Sequence, residues 1–141
     1  MGESKETGDL RTTRTHLPAT RASITRRIEH VGDLDIYITV GFYEPQRDLE
    51  AGTGIEQPGE VFIKIGKEGS TVGGLLDSVA VLMSLMLQYG VPWERIARKL
   101  RHTRFDPVNT EGKSIIHAVV SAVDEILSNR GSLPDRGCKL C

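Results

Sequence analysis

The sequence predicts an α+β domain: an antiparallel sheet of about three strands, then three helices packed on one of its faces. Three observations lead there. Residues 23–65 carry β-branched residues and period-two alternation. From residue 72 the apolar spacing becomes helical. The strands come as one block before the helices, which argues for α+β rather than alternating α/β.

Ser23–Val31 is rich in β-branched residues, and Gly32-Asp33 suits a two-residue hairpin turn. In the next strand Leu34, Ile36, Ile38, Val40 and Phe42 alternate with Asp35, Tyr37, Thr39, Gly41 and Tyr43, so one face is buried. Residues 44–59, with two prolines and three glycines, read as a long connection. Glu60–Ile65 makes a third strand, with Val61, Ile63 and Ile65 on one face. The opposite sheet face, with Tyr37, Thr39, Tyr43, Phe62 and Lys64, is half polar and available to a partner or another copy.

Ser70 or Thr71 is a plausible N-cap for a helix over Val72–Tyr89. That helix is apolar nearly all round, which predicts burial on more than one face. Gly73 and Gly74 near its start imply close approach of backbone or ligand. Gly90 suits the C-cap and Pro92 the start of the second helix. There Trp93, Ile96, Ala97 and Leu100 oppose Glu94, Arg95, Arg98 and Lys99. A last helix, about Lys113–Ser128, buries Ile115, Ile116, Val119, Val123 and Ile126, with His117, Ser121 and Asp124 on its polar face.

With 141 residues, 38% hydrophobic and 26% charged, the chain suits one soluble domain that needs no disulfide. The expected division is a flexible basic, Thr-rich arm (1–20), the domain (21–128) and a flexible tail (129–141). Arg11, Arg14, Arg21, Arg26 and Arg27 sit in a stretch without acids. They can contact phosphates or simply be solvated. The net charge of −1 gives no general attraction to nucleic acid, which is not an expected partner. The run Val72–Leu87 is short for a membrane span and contains Asp77, so no membrane is expected. The polar start and two late cysteines point to the cytoplasm.

Two polar clusters flank the first helix. Lys67, Glu68, Gly69, Ser70 and Thr71 gather backbone N–H groups, a lysine and hydroxyls where that helix begins, which suits an anion. Arg101, His102, Thr103 and Arg104 can add charge-assisted bonds to a phosphate. The same residues also suit a plain capped helix, with Arg104–Asp106 or an Arg–Glu68 pair fixing a loop. His102 has no catalytic partner placed by sequence, and the histidines show no ligand spacing, so no metal is assigned. Cys138 and Cys141 form C-x-x-C, open to three readings: an incidental tail, a redox pair, or half of an intersubunit metal site.

Leu17-Pro18, Gly41-Phe42-Tyr43, GEVFI (59–63), GKEGST (66–71), LQYGVP (87–92) and HTRFDP (102–107) occur in an order that resembles the TSCPD domain. That is the C-terminal domain associated with cobalamin-dependent (class II) ribonucleotide reductases, and the likeness covers about residues 17–127. It implies an accessory or stand-alone module of deoxyribonucleotide synthesis with a reductase catalytic subunit as partner. The reductase barrel is absent from these residues, so catalysis by this chain alone is not expected. The name-giving Ser-Cys-Pro-Asp is replaced by Lys113-Ser114-Ile115-Ile116, and Ser70 and Phe105 stand where other members carry cysteines. By placement, Cys138 and Cys141 are similar to the mobile tail cysteines of large reductases. The alternative is a non-enzymatic nucleotide- or phosphate-binding protein, expected as a homo-oligomer, with no other cofactor.

Overall fold

A computed structural model describes residues 12–31, 34–43, 57–66, 70–105, 108 and 112–128. Strands β1 (Ser23–Val31), β2 (Leu34–Phe42) and β3 (Pro58–Ile65) form one antiparallel sheet in the order β1-β2-β3. Helices α1 (Thr71–Gln88), α2 (Trp93–Leu100) and α3 (Ile115–Ser128) follow. This is the predicted α+β arrangement. The Gly32-Asp33 turn and most of the 44–59 connection lie outside the described residues.

The alternation in β2 sets the register. Ile36 pairs with Ile28 and Ile65, Ile38 with Arg26 and Ile63, and Val40 with Ile24 and Val61. Ile36, Ile38, Val40 and Phe42 are completely buried under the helices, with Met83 of α1 and Val119, Val120 and Val123 of α3. Tyr37 and Phe62, on the other face, stay largely exposed.

Helix α1 packs along β3 and seals its outer edge. The Ser84 hydroxyl accepts from the Val61 N–H at 2.9 Å, and Gln88 Nε2 donates to the Gly59 carbonyl at 2.9 Å. Ser84 and Gln88 are one turn apart, so one polar stripe on an apolar helix meets alternate residues of an edge strand. An open edge invites pairing with other chains, and this stripe closes it. At 18 residues α1 reaches the shortest length of a membrane span, but these bonds tie it into the fold.

The expectation that α1 is buried on more than one side needs correction. Leu76, Ala80, Met83, Leu87 and Gln88 are buried, whereas Leu75, Val81 and Leu82 are more than half exposed. Its apolar circumference exceeds what this sheet covers. The helix ends at Gln88, and Gly90 just beyond it, with a φ of 94°, closes a Schellman turn: Gly90 N–H donates to the Leu87 carbonyl and Val91 N–H to the Met86 carbonyl.

Candidate functional site

At the start of α1, Ser70 caps the helix, its hydroxyl accepting from the Gly73 N–H at 3.0 Å. Thr71 is the exposed first residue of the helix. Lys67, Glu68 and Gly69 lie outside the described residues, as do Asp106, Cys138 and Cys141. Of the two glycines that follow, Gly73 is closely approached: a Cβ there would stand 3.1 Å from Ser70 Oγ and 3.2 Å from Ile65 Cδ1. Gly74 faces open space, so close approach does not explain it.

The second cluster is fastened to α3. Arg101 donates to Asp124 at 2.9 Å, and the Trp93 indole N–H donates to the other oxygen of that carboxylate at 2.9 Å. One aspartate therefore joins both ends of α2 to α3. The Ser114 hydroxyl, fully buried, donates to the Thr103 carbonyl. It also accepts from His117 N–H at 3.4 Å, at the first turn of α3. The His102 and His117 rings meet edge to face, their centroids 6.4 Å apart. Arg104 reaches Gly112, and with Phe105 and Val108 they line an open hollow of about 340 Å³.

The field at this corner is positive. Burial first, then Lys113, His102, Arg104 and Arg101, hold the His117 imidazole below its ordinary value of 6.5. The positive charges of Lys113, Arg104 and Arg101 disfavour another positive charge on this imidazole and favour a negative one nearby. Asp124 engages Arg101 and raises the Arg101 pKa, so that guanidinium is held within the fold.

The basic stretch near the N-terminus is used within the fold. Arg14 bonds Gln88, Arg21 grips both oxygens of Glu60, Arg26 pairs with Glu125, and Arg27 with Asp35 at 3.0 Å. Residues 12–20, expected as part of a flexible arm, are bonded to the domain: Thr15 N–H donates to the Gln88 carbonyl, and Tyr43 OH donates to the Thr15 carbonyl.

These contacts explain several of the sequence motifs together. Glu60 stands opposite Gly41 across the sheet, and its carboxylate lies where a side chain at Gly41 would be. Arg21 holds that carboxylate while donating to the Pro18 carbonyl at 2.9 Å. Leu17 and the Tyr43 ring close over Gly59. Thus Leu17-Pro18, Gly41-Phe42-Tyr43, Gly59-Glu60 and Gln88, dispersed over more than seventy positions, form one interlocked corner. Sequence reasoning missed this corner as a unit, and it missed the roles of Asp124, Ser84 and Gln88. The signal for the last two was present: two polar residues four apart on an otherwise apolar helix face. Among the described residues no group of three His, Cys, Asp or Glu is placed to hold a metal.

No solved structure matches this chain. Curated relatives of the chain include vitamin B12-dependent ribonucleotide reductases. That of Rhodopirellula baltica is 41% identical over 113 residues, covering 80% of this chain and 10% of the relative. That of Streptantibioticus cattleyicolor is 34% identical over 124 residues, covering 88% and 19%. That of Agrobacterium fabrum is 32% identical over 114 residues, covering 80% and 8%. The chain thus spans less than a fifth of the length of these relatives. The TSCPD domain model matches residues 10–127, which include the interlocked corner, the Ser70 cap and the α3 cluster. This chain belongs to the TSCPD domain family.

Proposed function

We propose that this chain serves ribonucleotide reduction as a reductase-associated module, docking on a cobalamin-dependent catalytic body rather than performing the reduction itself. The observation that supports this is the match over 80% of the chain to a reductase of which it represents 10%. The chemistry of ribose reduction then belongs to the other nine-tenths. In this reading Cys138 and Cys141 act as a dithiol. A Cys thiolate attacks the reductase's active-site disulfide, releasing one thiolate and forming a mixed disulfide. The second Cys thiolate displaces the other sulfur. The reductase gains two thiols and the tail becomes a disulfide, which an external dithiol reductant reopens. Lys139, between the two, favours the thiolate.

The test uses a B12-dependent reductase stripped of its own tail cysteines. Adding this protein is expected to restore multiple turnovers, and a Cys138→Ser, Cys141→Ser variant is expected to restore none. Equal rescue by both would end the redox role. No binding of either to the reductase would end the association.

A second reading, a site for a phosphate-bearing ligand, is favoured by the cationic surroundings of His117. Because folding lowers this imidazole's pKa below 6.5, the unfolded chain binds the proton more readily. His117 therefore subtracts stability as pH falls below 6.5 through the folded value, and contributes nothing above that window. An anion bound beside His102 and Arg104 would raise the folded value and shrink the acid loss. An NMR titration of His117 with inorganic phosphate, against chloride at equal ionic strength, is expected to show the rise. Identical curves would remove this reading.

A further inference from the structure

We propose that α1 carries a self-complementary seam through which two copies of this chain pair antiparallel. One flank of the helix, Leu76, Ala80, Met83 and Leu87, is buried in the core. The adjoining flank presents Val72, Leu75, Val79, Leu82, Met86 and Tyr89, alternately three and four residues apart. That is the a/d spacing of a helix–helix seam. Leu75 is 62% exposed and Leu82 59%, and Val72, Met86 and Tyr89 each exceed a third. Val79 is partly covered by the core. Val81, also exposed, lies on the far side of the helix and outside the seam.

The pattern fits a second copy of itself. In an antiparallel pair each a position faces a d position. A two-fold axis between positions 79 and 82 sets Val72 opposite Tyr89, Leu75 opposite Met86, and Val79 opposite Leu82 of the second copy. All six residues enter paired layers, and in the outer layers small faces large. Such a patch, identical on both chains, is what an isologous interface requires. Charge does not oppose it: Asp77 is the one charged residue of α1 and points away from the seam. The exposed seam side chains amount to roughly 500 Å² per copy, so about 1,000 Å² for the pair, near the lower limit for a specific interface. Membrane insertion would need the whole circumference of the helix, and the buried flank is bonded to β3 through Ser84 and Gln88.

The experiment is sedimentation equilibrium of the full chain under reducing conditions, so that the tail cysteines cannot link copies. The expected result is a mass of two chains at high micromolar concentration, falling to one on dilution. Leu82→Glu would place a charge in the central layer and is expected to weaken pairing on the order of 100-fold. Its melting curve at low concentration should match the parent, since Leu82 is already exposed in the single copy. Leu75→Lys is expected to weaken pairing as well, and Leu75→Lys with Met86→Glu in one chain to restore it, because each lysine then faces a glutamate. A single-chain mass at every concentration would overturn the proposal. So would a pair that survives Leu82→Glu, a double variant that stays unpaired, or a single chain that instead binds phosphatidylcholine vesicles. Pairing is independent of the reductase association, and each can fail while the other stands.

Discussion

Trp93→Ala is expected to cost about 3–5 kcal/mol, the usual range for emptying a large aromatic site in a core. Trp93 is 6% exposed and is the only tryptophan in the chain. Its loss opens a cavity between α2 and α3 and removes one of the two donors to Asp124. Small domains have about 5–15 kcal/mol in all, so this variant should sit close to half unfolded in modest urea. Far-UV circular dichroism must follow the unfolding, since the fluorophore is gone. Trp93→Phe keeps most of the volume and loses the N–H, so it should fall well short of the alanine variant. A cost below about 1 kcal/mol for Trp93→Ala would mean that α2 is not anchored as described.

Gly59→Ala is expected to destabilise by about 1–3 kcal/mol, as overpacking does. The added carbon would stand 2.6 Å from Tyr43 Cε2 and 2.9 Å from Leu17 Cδ2. Neither neighbour is a flexible polar tip. The ring must turn aside, and its hydroxyl then loses the Thr15 carbonyl. Trypsin should therefore cut after Arg14 sooner in the variant than in the parent. Gly74→Ala is the control: its site is open, and alanine is the better helix former by about 1 kcal/mol. If both variants melted alike, close packing at Gly59 would not be the cause.

Strand alternation and helical spacing made the fold legible because one physical cause, a buried face, writes both patterns. β1 runs over Ser23–Val31 as expected. β3 begins at Pro58 rather than Glu60, because Phe42 still pairs with Pro58 across an irregular register. The last helix starts at Ile115 rather than Lys113, because the buried Ser114 sits before it and bonds its first turn. The candidate site was legible in parts. The Ser70 cap follows from a local rule about hydroxyls before helices. The joining of residues 101–104 to α3 was hidden, because Arg101 and Asp124 meet only after two helices have packed. A helix apolar all round reads the same whether a sheet or a second chain covers its other side, so the exposed seam on α1 needed coordinates to be seen.

The interlocked corner around Gln88 also constrains the order in which this domain can assemble. Arg14 waits for a partner 74 positions later and Arg21 for one 39 positions later. During synthesis neither partner exists when these arginines emerge. The segment that precedes the strands is thus fastened only after β3 and the end of α1 have formed. Contacts so distant along the chain slow folding, since closing a long loop costs entropy before any contact is gained. In this domain the clasp is laid down before the parts it will hold.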